Sequence, residues 1–133
     1  MRVMIDTNVI VSAVYNPKSK TAAVLCHVCE KHELVLCDYI IAECYDVIMR
    51  KFPQHTPVFD NLLATLGYEL VAAPRVGLEM SDPKDSPILN AAIIADVDII
   101  VSGDKHFIEL DIERPQVLSP TSYFETECRG EET

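Results

Sequence analysis

Short runs of apolar residues, continuous rather than alternating, recur along this chain between stretches of helical periodicity, and they constrain the fold more than any other feature. Val3-Met4-Ile5, Leu34-Val35-Leu36-Cys37 and Ile99-Ile100-Val101 are too short for helices and too uniformly apolar for strands with one wet face. They read as strands covered on both sides. Tyr68 to Ala72 and Val117-Leu118 read as two further short strands. Between them, Ser19 caps a helix from Lys20 to about Glu30, with Ala23, Val24, Cys26, His27 and Val28 as its apolar positions. Asp38 caps a second helix, Tyr39 to Lys51, whose Ile40, Ile41, Cys44, Val47 and Ile48 form a stripe at helical spacing. Thr56-Pro57 and Ser86-Pro87 each place a cap ahead of a proline at the first helical position. These helices run to about Leu66, where Gly67 ends the turn, and to about Asp96. Ser119-Pro120 opens a last helix, while Asn16-Pro17-Lys18-Ser19 and the span from Ala73 to Lys84 read as loops. Alternating strands and helices imply an α/β fold: a three-layer α/β/α sandwich with a mostly parallel central sheet and right-handed crossovers.

At 133 residues the chain matches one ordinary domain of roughly 100–150 residues. Hydrophobic residues at 49% and charged residues at 24% mark a globular composition rather than a disordered one. The expected folded unit is 1–124, followed by a charged tail, 125–133, that frays. No apolar run reaches the ~20 residues of a membrane helix, and Asp6 comes too early for a signal peptide. The expectation is a soluble cytoplasmic protein. Eleven basic against 21 acidic residues leave a net charge of −10, which disfavours indiscriminate binding to polyanions. A nucleic-acid enzyme stays possible, because bound divalent metals reverse the field at one site. The acid excess also suits a basic partner. Five cysteines, Cys26, Cys29, Cys37, Cys44 and Cys128, do not make a secreted disulfide framework. Cys26-His27-Val28-Cys29, with His32 nearby, has C-x-x-C spacing, which raises zinc and redox readings. No second pair follows and the segment is helical, so packing is their expected role.

In open parallel sheets, ligands bind at the carboxyl ends of strands. Two acids stand there: Asp6, followed by Thr7-Asn8, and Asp104, preceded by Ser102-Gly103. Glu43 lies early in a helix with an apolar opposite face, and Asp85 directly precedes the Ser86-Pro87 cap, with Asp82 competing for its role. Ordinary capping or solvated surface accounts for any one of these acids alone; only their convergence carries chemistry. Convergent carboxylates resist ionisation unless a cation joins them. Oxygen ligands suit Mg²⁺ or Mn²⁺, which activate water and stabilise the leaving oxygen in phosphoryl displacement. The expectation is therefore a metal-dependent phosphodiesterase, with Thr7, Asn8 and Ser102 orienting ligands or metal waters. His27, His32, His55 and His106 show no pairing that makes a nucleophile or metal site, and neither a glycine-rich phosphate loop nor a G-x-S-x-G elbow is present.

On these residues the chain resembles the PIN-domain family, a metal-dependent ribonuclease fold found in many toxins of prokaryotic toxin–antitoxin pairs. The resemblance covers about Met1 to Phe124. Val3-Met4-Ile5-Asp6-Thr7-Asn8-Val9 is similar to the family's first motif, and Ile40-Ile41-Ala42-Glu43 to its second. Asp82-Pro83-Lys84-Asp85 before an alanine-containing helix is similar to the third, and Ser102-Gly103-Asp104-Lys105-His106-Phe107 to the fourth. The resemblance implies that Asp6, Glu43, Asp85 and Asp104 hold Mg²⁺ or Mn²⁺, with Asp82 in support. It implies cleavage of single-stranded RNA, a homodimer or higher homo-oligomer, and an inhibitory antitoxin partner. Some members carry another acid two positions after the fourth-motif aspartate, where this chain has His106. The expected basic rim is Lys18, Lys20, Arg50, Lys51, Lys84 and Lys105, with Lys84, Lys105 and His106 as candidate substrate contacts.

Two other readings compete with the nuclease. One is a catalytically dormant PIN-like module that binds RNA or an antitoxin peptide, which the acidic net charge favours. The other is a phosphatase with Asp6 as nucleophile, but Asn8 stands where that chemistry wants a second aspartate.

Overall fold

The computed structural model describes residues 1–74, 86–110 and 112–128. The strands are β1 (Arg2–Ile5), β2 (Glu33–Cys37), β3 (Glu69–Val71), β4 (Ile99–Val101) and β5 (Gln116–Leu118). They form one sheet in the order β3-β2-β1-β4-β5, with every neighbouring pair parallel. Val3, Met4 and Ile5 are all fully buried, as are Ile100 and Val101. Because successive side chains of a strand point to opposite faces, helices must cover both sides of the sheet centre.

The helices are α1 (Thr7–Tyr15), α2 (Lys20–Lys31), α3 (Asp38–Lys51), α4 (Thr56–Thr65), α5 (Pro87–Ile94), α6 (Lys105–Ile108) and α7 (Pro120–Tyr123). A turn of 3-10 helix, Pro53–His55, joins α3 to α4, and a π-type turn, Phe124–Cys128, extends α7 beyond Glu125. No helix among the described residues is long and apolar enough to cross a membrane.

The expected strands are all present, as are the long helices. Local expectations differ, α6 among them, since Lys105–Ile108 was expected in no element. Thr7–Tyr15 was given no element by its sequence and forms α1. Asp6 caps it, accepting the Thr7 backbone N–H on Oδ1 at 2.7 Å. Helix α2 buries Ala22, Val24, Leu25 and Val28, while Ala23 and Cys26 face solvent. The true apolar face is turned by about one residue from the expected one, because it must lie against α1 and β2. Helix α5 ends at Ile94, short of Asp96. Asp96 adopts a left-handed backbone, φ 58°, and the Val97 and Asp96 N–H groups donate back to the Ala92 and Ile93 carbonyls. This is a Schellman stop in which an aspartate takes the usual glycine position.

The two ends of the sheet differ in charge balance. At the amino ends, acids and bases are paired: Arg2 bridges Glu33 and Glu69, and Arg114 bridges Asp96 and Asp98. Backbone hydrogen bonding to Arg2, then Arg114, holds the Asp98 carboxyl below the usual aspartate range. The carboxyl ends carry acids, Asp6, Glu43 and Asp104, that have no such partners among the described residues. The order β3-β2-β1-β4-β5 puts the topological switch between β1 and β4, and Asp6 and Ser102 leave the sheet on either side of that crevice.

Candidate active site

Asp6 follows β1 directly and is buried at 7% exposure. Both its oxygens are engaged: Oδ1 accepts the Thr7 N–H, and Oδ2 accepts the Ser102 hydroxyl at 2.8 Å. Ser102 also accepts the Asp104 N–H at 3.1 Å, so one hydroxyl ties the two strand ends together. Asp104 caps α6, accepting the His106 N–H at 2.9 Å, and its side chain reaches solvent. Thr7 is itself buried, and its hydroxyl donates to Glu43 Oε1 on α3. Tyr39, one turn earlier on the same helix, lines the cleft beside Glu43. The apolar stripe of α3 explains this aim. Ile40, Cys44 and Ile48 bury one side against the sheet and leave Tyr39, Glu43, Asp46 and Arg50 along the edge.

These residues line one cleft of about 440 Å³ at the carboxyl end of the sheet. Asp6, Glu43 and Asp104 all face it, together with Thr7, Asn8 and Ser86. Among the described lining residues there is neither histidine nor cysteine. Burial pushes the Asp6 carboxyl above the usual aspartate range, against the Ser102 and Thr7 hydrogen bonds that favour its charge. The negative fields of Glu43 and Asp104 push the same way. Burial, then Glu43, likewise raises the Tyr39 phenol, and burial raises the Cys44 thiol beneath the site.

Asp82, Lys84 and Asp85 lie outside the described residues. Lys105 and His106 stand exposed in the first turn of α6, off the described cleft lining. Of the expected basic rim, Arg50 lines the cleft, while Lys18, Lys20 and Lys51 do not. Lys20 instead sits over the Phe124 ring, 5.9 Å from its centroid. Among the described residues, no three His, Cys, Asp or Glu side chains are placed to hold a metal ion by themselves. The thiols of Cys26 and Cys29 are free. His27 bonds the buried Tyr123 hydroxyl at 2.7 Å and ties α2 to α7.

Tyr39 and Asp46 were not expected in the cleft as chemistry-bearing residues, whereas Arg50 was expected on its basic rim. Their signal was the helical period counted from Glu43: positions 39, 43, 46 and 50 share one face. Ser86 was read only as a cap, and it both caps α5 and lines the cleft.

Comparison with known proteins agrees with this layout. No relative is found among proteins with curated descriptions. A solved structure, VapBC2 from Rickettsia felis bound to a DNA fragment from its promoter, contains a similar chain. That likeness has a TM-score of 0.65 at 17% identity and covers 90% of this chain and 98% of the other. At that identity it speaks for the fold alone. The sequence profile described as "PIN domain" matches residues 2–106, which span β1 through the acid that caps α6. With the profile running over most of the chain and the strand-end acids in one cleft, this chain belongs to the PIN-domain family.

Proposed function

We propose that this protein is a metal-dependent endoribonuclease that hydrolyses phosphodiester bonds in single-stranded RNA and serves as the toxin of a toxin–antitoxin pair. The observation that carries this reading is the convergence of Asp6, Glu43 and Asp104 on one cleft, none of them in an ion pair among the described residues. Membership of a family whose domains are generally nucleases, and the fold shared with VapBC2, support it.

The residues fit a hard divalent cation, Mg²⁺ or Mn²⁺. The donors are carboxylates, soft ligands are absent from the described lining, and the raised Asp6 carboxyl marks a site short of positive charge. Mg²⁺ keeps several waters and takes only one or two protein carboxylates, so a site that is not closed by three side chains suits it. One or two of Asp6, Glu43 and Asp104 would hold the ion directly and the rest through its waters, with Asp85 proposed for the same set. Bound there, the cation would lower the pKa of an attacking water and stabilise the departing oxygen.

The chain's own residues set the geometry. Ser102 and the Thr7 N–H hold both oxygens of Asp6 so that the carboxylate cannot rotate. The Thr7 hydroxyl orients Glu43, and the His106 N–H holds Asp104 Oδ1. No histidine or lysine of the described lining is placed as a general base. Proton removal from water therefore falls to a carboxylate.

The test is cleavage of labelled single-stranded RNA by the purified protein with Mn²⁺, Mg²⁺ or EDTA. Metal-dependent cutting is expected, with loss in Asp104→Asn. Equal cutting by that variant overturns the assignment of roles.

The second reading, a dormant module that holds an antitoxin peptide, draws support from an apolar groove of about 220 Å³ between α1, α2 and α4. Val14, Leu25, Val58 and Leu62 help to line it. A folded protein that binds Mn²⁺ and a basic amphipathic peptide but never cuts RNA would favour that reading.

A further inference from the structure

Arg50 is the only cationic side chain on the described lining of the acid cleft. It makes no ion pair among the described residues, although Asp46 faces the same cleft one helical turn earlier. In a chain with 21 acids to 11 bases, the other two described arginines, Arg2 and Arg114, each pair with carboxylates. The helix dipole accounts for a basic residue in the last turn of α3. It does not explain why Arg50 lines the cleft while its neighbour Lys51, equally favoured by the dipole, does not.

The position sets what Arg50 can touch. It stands seven residues after Glu43, nearly two full turns, so both project from the same face of α3. At 1.5 Å rise per residue the two are about 10 Å apart along the helix axis. That offset leaves room for the carboxylates to hold one phosphate while Arg50 meets a neighbouring one along the same strand. A guanidinium carries forked donors that match a phosphate oxygen pair. It also offsets locally the repulsion that a net charge of −10 exerts on an RNA backbone.

We infer that Arg50 binds a backbone phosphate next to the scissile one and so sets the path of the strand along α3, a role that rests on the nuclease reading above. It is a substrate-binding residue, not part of the reacting centre. Its loss should therefore weaken substrate capture and leave the chemical step alone.

Steady-state cleavage of labelled single-stranded RNA, measured for wild type, Arg50→Ala and Arg50→Lys over a range of KCl concentrations, tests this. Arg50→Ala is expected to raise KM about tenfold with kcat within about twofold. The slope of log KM against log salt should fall by about 0.7, the share of one phosphate contact on a single strand. Arg50→Lys keeps the charge and loses the fork, so KM should rise with the slope unchanged. If Arg50→Ala melts well below wild type, the Arg50→Lys pattern decides alone. Wild-type cutting with both variants unaltered in KM, or a loss confined to kcat, overturns the inference and leaves the nuclease reading standing. A wild-type protein that cuts no single-stranded RNA overturns both.

Discussion

Asp6 occupies a place where an ionised carboxylate is held at a cost. The residue is 7% exposed, and burial first, then Glu43 and Asp104, raise its carboxyl above the usual aspartate range. In the metal-free protein the folded state therefore binds the Asp6 proton more tightly than the unfolded chain does. The contribution of this group to stability is present below the unfolded pKa and is lost as pH rises through the raised folded pKa. At neutral pH the metal-free fold carries that penalty. Asp6→Asn keeps the shape and an acceptor for the Thr7 N–H, and its amide can donate to Ser102. In EDTA at pH 7 the variant is expected to melt no lower than wild type, and its advantage should vanish near pH 3, while RNA cleavage is lost. Thermal melts over pH check the first part; a variant that melts several degrees lower at pH 7 contradicts it. A site that destabilises its own fold while supporting activity is a familiar trade-off.

The ends of the elements carry much of the information at the next scale. Three caps were legible in sequence, since Ser19, Ser86 and Ser119 each accept N–H groups of the turn they open, whereas Asp38 and Thr56 are the first residues of their helices, with Cys37 and His55 at the cap positions. Helix α1 was not legible, because Val9, Ile10, Val11 and Val14 are β-branched and favour strands locally. It is helical because Asp6 caps it and because α2 and α3 pack along it, burying Val9, Ile10, Val11, Ala13 and Val14. Helix α6 was missed because four residues are too few to show a period. The stop of α5 shows how one residue can carry an element. Asp96 at φ 58° tolerates the left-handed region through its short polar side chain, and Arg114 pairs with it at 2.6 Å. Asp96→Val is expected to destabilise the protein by about 1–2 kcal/mol in urea unfolding, since a β-branched residue is strained there. Asp96→Gly should come within about 0.5 kcal/mol of wild type, trading backbone relief for a lost surface ion pair. Equal effects of the two would mean that the charge, not the backbone, matters.

Among the described residues, charge is sorted along the sheet, with ion pairs at the amino ends of the strands and acids outside any ion pair at the carboxyl ends. A cation that binds only the folded site should therefore stabilise the entire domain. Saturating Mn²⁺ is expected to raise Tm by about 5 °C, reversed by EDTA and much reduced in Asp6→Asn. A melting curve that Mn²⁺ leaves unmoved would count against a preformed site. The sequence by itself determined the α/β class, the strand cores, most helix starts and the acids at strand ends, because apolar runs, periodicity and caps are local signals. Tertiary structure alone decided which of those acids meet. Thr7 reaches Glu43 across 36 residues and Ser102 reaches Asp6 across 96, contacts that no local pattern encodes. It also decided that Arg50, rather than Lys18, Lys20, Lys51 or Lys105, joins the described lining of the cleft. The physical reason is that β1 lies between β2 and β4, so the positions that meet depend on strand order and helix packing, which form only when the whole core is buried.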